Sequence, residues 1–178
     1  MSAVEIRPEV EGDRAAIADV VERAFGSPAE VRLVEAIRAS PEYLAGLALV
    51  AVVDDRVVGH VMISGCRLVD DADAEHDIVM LSPLAVDPDH HGQGIGGALV
   101  RAVCERADAL DEPLVVLEGD PGYYSRFGFE PAAGHGITLP LPDWAPLEAA
   151  QVLRLSHDDP GLRGTVVYPR SFDVLETG

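Results

Sequence analysis

The spacing of apolar residues changes several times along the chain, and each change predicts a different element. Residues 13–25, DRAAIADVVERAF, set Ile17, Val20, Val21, Ala24 and Phe25 at helical spacing behind a cap expected at Asp13. SPAE at 27–30 then reads as a capping box, Ser27 to Glu30 with Pro28 at the first helical position. A second helix carrying Val31, Val34 and Ile37 should follow. VEIRP (4–8), ahead of both helices, suits a short strand. From Leu44 the period becomes that of strands. Residues 44–69 hold two β-rich runs about a tight Asp54-Asp55 turn, which predicts a hairpin. DDADAEH (70–76) is a polar loop, and DIVMLSPLAV (77–86) is an apolar run broken by Ser82-Pro83. Proline cannot donate to a strand ladder, so this central strand should bulge or splay there.

A glycine-rich turn leads into a helix over about 94–110 that buries Ile95, Leu99, Ala102 and Val103. PLVVLEG (113–119) is the next strand, and DPGYYSRFGF (120–129) gives a tight turn, one short helix and a glycine stop. Strand-like runs near 129–138, 149–155 and 164–168 surround a proline-rich loop, LPLPDWAP (139–146). No repeat, linker or low-complexity tract divides the 178 residues, so a single domain over 1–178 is expected. The order of elements predicts an α+β fold, a three-layer α/β/α arrangement with helices flanking a mixed, mostly antiparallel sheet.

Charge narrows the partners. Thirteen basic residues, all arginine, stand against 31 acidic ones for a net charge of −18. Nucleic acid and anionic membrane surfaces call for a basic face, so both are poor partners. A cationic or amine substrate would be drawn in, although the same charge also serves as a solvating surface. Cys66 and Cys104 have no metal or redox spacing and read as buried thiols, and the six histidines lack ligand spacing, so no metal is expected. MSAVEIRPEV lacks the apolar core of a signal peptide, which predicts a cytoplasmic protein.

Within LAVDPDHHGQGIGGALVRAV (84–103), Gly92, Gly94 and Gly97 spell G-x-G-x-x-G ahead of a helix. As a dinucleotide site the motif has support from Glu118, about 20 residues on at a strand end. Against it, five residues separate the turn from its strand, two helices and a hairpin precede it, and too few helices follow for a doubly wound sheet. A P-loop fails, since Gly97 is followed by Ala98 and Leu99. A turn that binds nothing would carry an entropic cost in its glycines without return. The better reading is an anion, a pyrophosphate, held on N–H groups at a helix N-terminus, which lets an acidic protein bind a polyanion.

Together, LSPLAVDPDHHGQGIGGALV and GYYSRFGF resemble the GNAT superfamily of acetyl-CoA-dependent N-acetyltransferases, over nearly the whole chain. The family's [QR]-x-x-G-x-[GA] loop maps to His91-Gly92-Gln93-Gly94-Ile95-Gly96, with His91 where Gln or Arg is usual. The resemblance implies a sheet splayed between its fourth and fifth strands, with acetyl-CoA in the gap as co-substrate. Backbone groups of Leu84, Ala85 and Val86 would pair with the pantetheine arm, and Gly92 to Gly97 would hold the pyrophosphate. It further implies direct attack of a primary amine through a tetrahedral intermediate, as a monomer or homodimer.

An amine nucleophile must be neutral. A lysine-like amine is free base in only about one molecule in 2,500 at pH 7, an α-amine in roughly one in seven. A base is therefore useful, and Glu118 at its strand end is the first candidate, with Asp77, His76 and His60 behind it. Tyr124, four residues before Gly128, stands where the family carries a general-acid tyrosine for the leaving thiolate. Trp144 is expected to pack in the core, or else to roof the acceptor pocket. Two other classes stay open: a non-catalytic acyl-CoA sensor on the same fold, and an NAD(P)-dependent oxidoreductase.

Overall fold

The computed structural model describes residues 2–176. Strand β1 (Glu5–Pro8) leads into helices α1 (Arg14–Phe25) and α2 (Ala29–Arg38), then strands β2 (Tyr43–Val53), β3 (Arg56–Val69) and β4 (Glu75–Val86). Helix α3 (Ile95–Ala109), strand β5 (Leu114–Glu118) and short helix α4 (Pro121–Tyr124) follow. Strands β6 (Glu130–Pro131), β7 (Ile137–Thr138), β8 (Ala150–Arg154) and β9 (Gly164–Val167) complete the order. The sheet runs β1-β2-β3-β4-β5-β8-β6, with β9 paired to β3 and β7. On the main path only β4 and β5 are parallel. The mixed, mostly antiparallel sheet between helices is the expected one.

Alternation along the central strands explains the layers. Val61 and Ile63 of β3, Val79 and Leu81 of β4, and Val115 and Leu117 of β5 pack with Ile95, Leu99 and Val103 of α3. Their neighbours Met62, Ile78, Met80, Leu114 and Val116 face the other way, toward Ile17 and Val21 of α1 and Leu33 and Ile37 of α2. Both faces are covered, which is why these strands read as almost unbroken apolar runs. The hairpin turn is built on Asp54 and Asp55 at φ +48° and +61°. Positive φ at both central residues matches the right-handed strand twist.

The functional consequence lies at β4 and β5, which pair only at Val79↔Val115 and Met80↔Val116. Beyond these, β4 follows β3 and bulges at Ser82-Pro83, between Ile63↔Leu81 and Val61↔Leu84. β5 instead stays with β8 as far as Glu118↔Ala150. A gap opens between the two.

Local expectations differ from the structure in three places. Asp13 does not cap α1: its carboxylate takes Arg7 Nη1 at 2.7 Å and Nη2 at 3.0 Å, and accepts the Val10 N–H at 2.8 Å. The capping box does not form; Ser27 Oγ accepts from Ala29 N at 3.1 Å, and Glu30 Oε2 is buried without a hydrogen-bond partner among the described residues. The run at 129–138 is two short strands about a turn at Ala132–His135. Cys66 and Cys104 are buried free thiols, pushed by burial to about 11 and about 12.

One charged network lies inside the fold. Glu9 receives Arg38 Nε at 3.1 Å and Nη2 at 2.5 Å, and the Tyr43 hydroxyl at 2.9 Å. The Arg38 and Glu9 side chains are 5% and 4% exposed. His60, fully buried, stands with Nε2 3.3 Å from Glu9 Oε2. Burial lowers its pKa and so favours the neutral ring. Among the described residues no helix is long and apolar enough to cross a membrane.

Candidate active site

The turn after β4 is fixed by Asp87. Its N–H donates to the Val58 carbonyl at 2.8 Å, and its Oδ1 accepts from Asp89 N at 2.9 Å, so it caps the turn Pro88–His90. Arg23 from α1 reaches Asp87 Oδ2 at 2.5 Å and Asp89 Oδ2 at 3.1 Å, tying the turn to the first helix. His91 donates from Nε2 to the Val86 carbonyl at 3.0 Å. His91, where the sequence departs from the family pattern, thus ties the glycine turn to the end of β4.

The chain then reverses through Gly92 at φ +76° and Gly94 at φ +78°, and Gly94 stands at the N-cap of α3. Only glycine enters that region freely. A Cβ on either would meet nothing within 4 Å, so both face open space. Ala98 N bonds Gly94 O, whereas the N–H groups of Ile95, Gly96 and Gly97 are the first-turn donors that a helix leaves unpaired. Gly96 matters for another reason: a Cβ there would lie 2.5 Å from the Tyr123 hydroxyl.

A groove of about 700 Å³ runs over this helix end. It is lined by Leu84, Ala85 and Val86 of β4, by His91, Gly92, Gly94, Ile95, Gly96 and Gly97, and across from them by Tyr123, Arg126 and Phe127. Gln93 sits within the loop, exposed, and is not part of the lining. Arg101 also reaches the groove, its guanidinium 4.9 Å from the Phe127 ring centre, while Arg126 stands 4.8 Å from that of Tyr123. Neither arginine has a carboxylate partner among the described residues. In a chain with 31 acidic side chains, two unpaired guanidiniums beside unpaired N–H groups make a site for an anion. Both arginines were missed in the sequence, where nothing distinguishes them from the other eleven.

The tyrosines divide. Tyr123 lines the groove, whereas Tyr124 lies behind it, its ring 5.9 Å from Phe129 and against the α3 core. Gly119 leaves the room: a Cβ there would fall 2.5 Å from Tyr124 Cε2. Burial pushes the Tyr124 phenol up to about 12, and among the described residues its hydroxyl has no hydrogen-bond partner. Glu118 is at the open end of β5, in alternation with Leu114 and Val116. Although the residue is exposed, partial burial raises its carboxyl pKa, and the adjacent Tyr168 hydroxyl works in the opposite direction.

The lesser base candidates fall away from this place. His60 is fully buried with Nε2 3.3 Å from Glu9, and His76 Nε2 pairs with Asp70 Oδ2 at 2.8 Å in the acidic loop, next to Asp77 near the start of β4. Among the described residues no group of three or more His, Cys, Asp or Glu is arranged to hold a metal. Trp144 is 85% exposed, which overturns the expectation that it packs in the core. A single parallel pair on the main path also removes the doubly wound sheet that a dinucleotide reading of the glycines requires.

Known proteins agree with this geometry. The acetyltransferase (GNAT) domain profile matches residues 45–131, from β2 to the end of β6. YhbS of Escherichia coli K12, an uncharacterized N-acetyltransferase, is 37% identical over 171 residues, covering 94% of this chain and 98% of its own. YjhQ of the same strain, also an uncharacterized N-acetyltransferase, is 34% identical over 131 residues, covering 73% and 72%. The crystal structure of Escherichia coli YhbS in complex with CoA matches with a TM-score of 0.87 at 34% identity, covering 97% of this chain and 93% of that one. A GNAT acetyltransferase from Brucella melitensis in complex with acetyl-CoA matches with a TM-score of 0.77 at 31% identity, covering 97% and 100%. The chain belongs to the GNAT family of acetyltransferases.

Proposed function

We propose that this single-domain enzyme transfers the acetyl group of acetyl-CoA to a primary amine by direct attack. The observation that carries the reading is the meeting of two unsatisfied features: the unpaired first-turn N–H groups of α3 and the gap between β4 and β5. Two GNAT relatives bind CoA or acetyl-CoA on this fold. The residues here fit that group, because Gly92 and Gly94 keep the groove free of Cβ atoms and Arg101 and Arg126 bring unpaired positive charge. When bound, acetyl-CoA supplies an activated thioester carbonyl.

The remaining work falls to the chain. Gly92 to Gly97 hold the pyrophosphate on N–H groups and the positive end of the α3 dipole. Past Met80 the β5-facing edge of β4 has no strand partner among the described residues, so Leu84, Ala85 and Val86 can receive the pantetheine arm as an added strand. An N–H on that edge polarises the thioester carbonyl, as an oxyanion hole does. Glu118 takes the proton that an ammonium acceptor must lose. Tyr124 donates to the departing sulfur. Its phenol, at about 12, is a weaker acid than a thiol near ~8.5, so the chief contribution is a hydrogen bond and not full proton transfer.

The test is thiol release from acetyl-CoA in the presence of a panel of primary amines, with acetylated product identified by mass spectrometry. Transfer to at least one amine is expected, and Tyr124→Phe should lower kcat about 100-fold with little change in acetyl-CoA binding. Tyr123→Phe should disturb binding and leave kcat nearly intact. A reversed pattern would move the donor role to Tyr123. Tight CoA binding without transfer to any amine would leave an acyl-CoA sensor.

A further inference from the structure

A recess of about 230 Å³ lies along α3 and shares two lining residues, Arg101 and Phe127, with the cofactor groove. Gly97 marks the join: a Cβ there would fall 3.2 Å from the Phe127 ring and 3.3 Å from Arg101 Nη1. Gly97, Arg101, Cys104 and Asp108 follow one another at helical spacing, so a single stripe of α3 leads out of the groove and into the recess. At 1.5 Å per residue, Cys104 stands about 10 Å along the helix from Gly97.

The floor of the recess is apolar. Val100 and Cys104 are buried, and Leu155, directly after β8, adds to the lining. Burial keeps Cys104 a neutral thiol, at about 12. The rim is polar and only partly committed. Asp108 is taken, its Oδ1 accepting from Ser156 N at 2.8 Å and its Oδ2 from Ser156 Oγ at 2.6 Å. Arg101 and Glu105 have the spacing at which a helix pairs opposite charges. Among the described residues they nevertheless form no ion pair. The Arg101 guanidinium lies over the Phe127 ring instead, 4.9 Å from its centre, and the exposed Glu105 carboxylate has no hydrogen-bond partner among the described residues. An unpaired cation and an unpaired carboxylate thus border an apolar slot that opens from the groove.

We propose that this recess seats the adenine ring of CoA, with Glu105 accepting from the exocyclic amine and Arg101 donating to the ribose 3′-phosphate. The proposal rests on acetyl-CoA being the ligand of the groove, as read above. A flat heteroaromatic ring buries its faces against the apolar floor, while the amine at its edge donates to a carboxylate. The phosphate one sugar away calls for a cation, and Arg101 stands between floor and groove. Arg126 lines the groove but not the recess, and so stays with the pyrophosphate. Glu105 thereby reads the base, although by charge alone a carboxylate repels the phosphates beside it. A base without the amine leaves that carboxylate unanswered.

The experiment measures Kd by calorimetry for acetyl-CoA and for an analogue carrying purine, which lacks the 6-amino group, in wild type and in Glu105→Ala. Wild type should prefer acetyl-CoA about tenfold, and Glu105→Ala should bind the two alike. Amide NMR locates the base: adenosine 3′,5′-bisphosphate should shift Cys104, Glu105 and Leu155 as well as the first turn of α3. Equal affinities in wild type overturn the proposal, as does a preference that survives in Glu105→Ala. Shifts confined to residues 92–97 overturn it too, and leave the groove with its pyrophosphate. Failure of wild type to bind either acetyl-CoA or its analogue overturns the cofactor reading, and the proposal with it.

Discussion

Two polar regions touch the two faces of this sheet and are built on opposite plans. On the α2 face, Glu9 is closed in by Arg38 and Tyr43, with His60 beside it. On the α3 face, N–H groups of the first helical turn and the guanidiniums of Arg101 and Arg126 have no acceptor among the described residues. A buried charge with every partner in place serves the fold. Donors of one kind left unpaired together around a groove, with no acceptor among the described residues, can take one from outside the chain. The contrast separates what holds the protein together from what the protein holds.

The largest predicted effect lies in the closed region. Arg38→Ala leaves Glu9 buried without its cation and should cost about 3–5 kcal/mol, measured by denaturant unfolding. Acetyl-CoA affinity should be unchanged wherever the variant is folded. The same network predicts an acid response. Burial would push the Glu9 carboxyl up, but His60 and Arg38 outweigh it and hold it at about 2. A carboxyl depressed in the folded state stabilises above its unfolded value, and that stability is lost as pH falls from about 4.5 toward about 2. Glu9→Gln should flatten that part of the stability–pH curve.

In the open region the signs separate. Replacing Arg101 and Arg126 together by Ala should weaken acetyl-CoA by about 1.5–3 kcal/mol, roughly 10- to 150-fold, by calorimetric titration. Unfolding stability should change by about 1 kcal/mol at most, since only ring stacking is lost. Gly94→Ala should cost about 1–2 kcal/mol in stability, because an L-residue is disfavoured at φ +78°, and should weaken acetyl-CoA as well. Smallest is His91→Ala, about 0.5–1.5 kcal/mol in affinity through the lost tie to Val86 O, with His91→Gln recovering part of it.

Beyond the order of elements and the family resemblance, what could be read in the sequence was local. The Asp54-Asp55 turn, the bulge at Ser82-Pro83 and the glycine turn each follow from the backbone demands of two or three adjacent residues, and each is present. Asp13 resembled a helix cap, but Arg7 lies within reach only once β1 is folded beside it. Ser27 and Glu30 had capping-box spacing, yet the helix begins one residue too late for the reciprocal bonds. Trp144 reads as core by residue type, and only the path of its loop exposes it. Arg101 and Arg126 lie 25 positions apart, and their meeting over one groove is a property of the sheet topology.

The most direct measurement is thermal unfolding with acetyl-CoA, CoA and NAD(H) titrated in parallel. At about 100 times its Kd, a ligand of the folded state adds ~2.7 kcal/mol, a rise of roughly 5–11 °C in Tm for a domain of this size. A rise with acetyl-CoA and CoA, absent with NAD(H) and sharply reduced by the double arginine variant, is the predicted result. No rise with either CoA species would contradict the assignment of the groove.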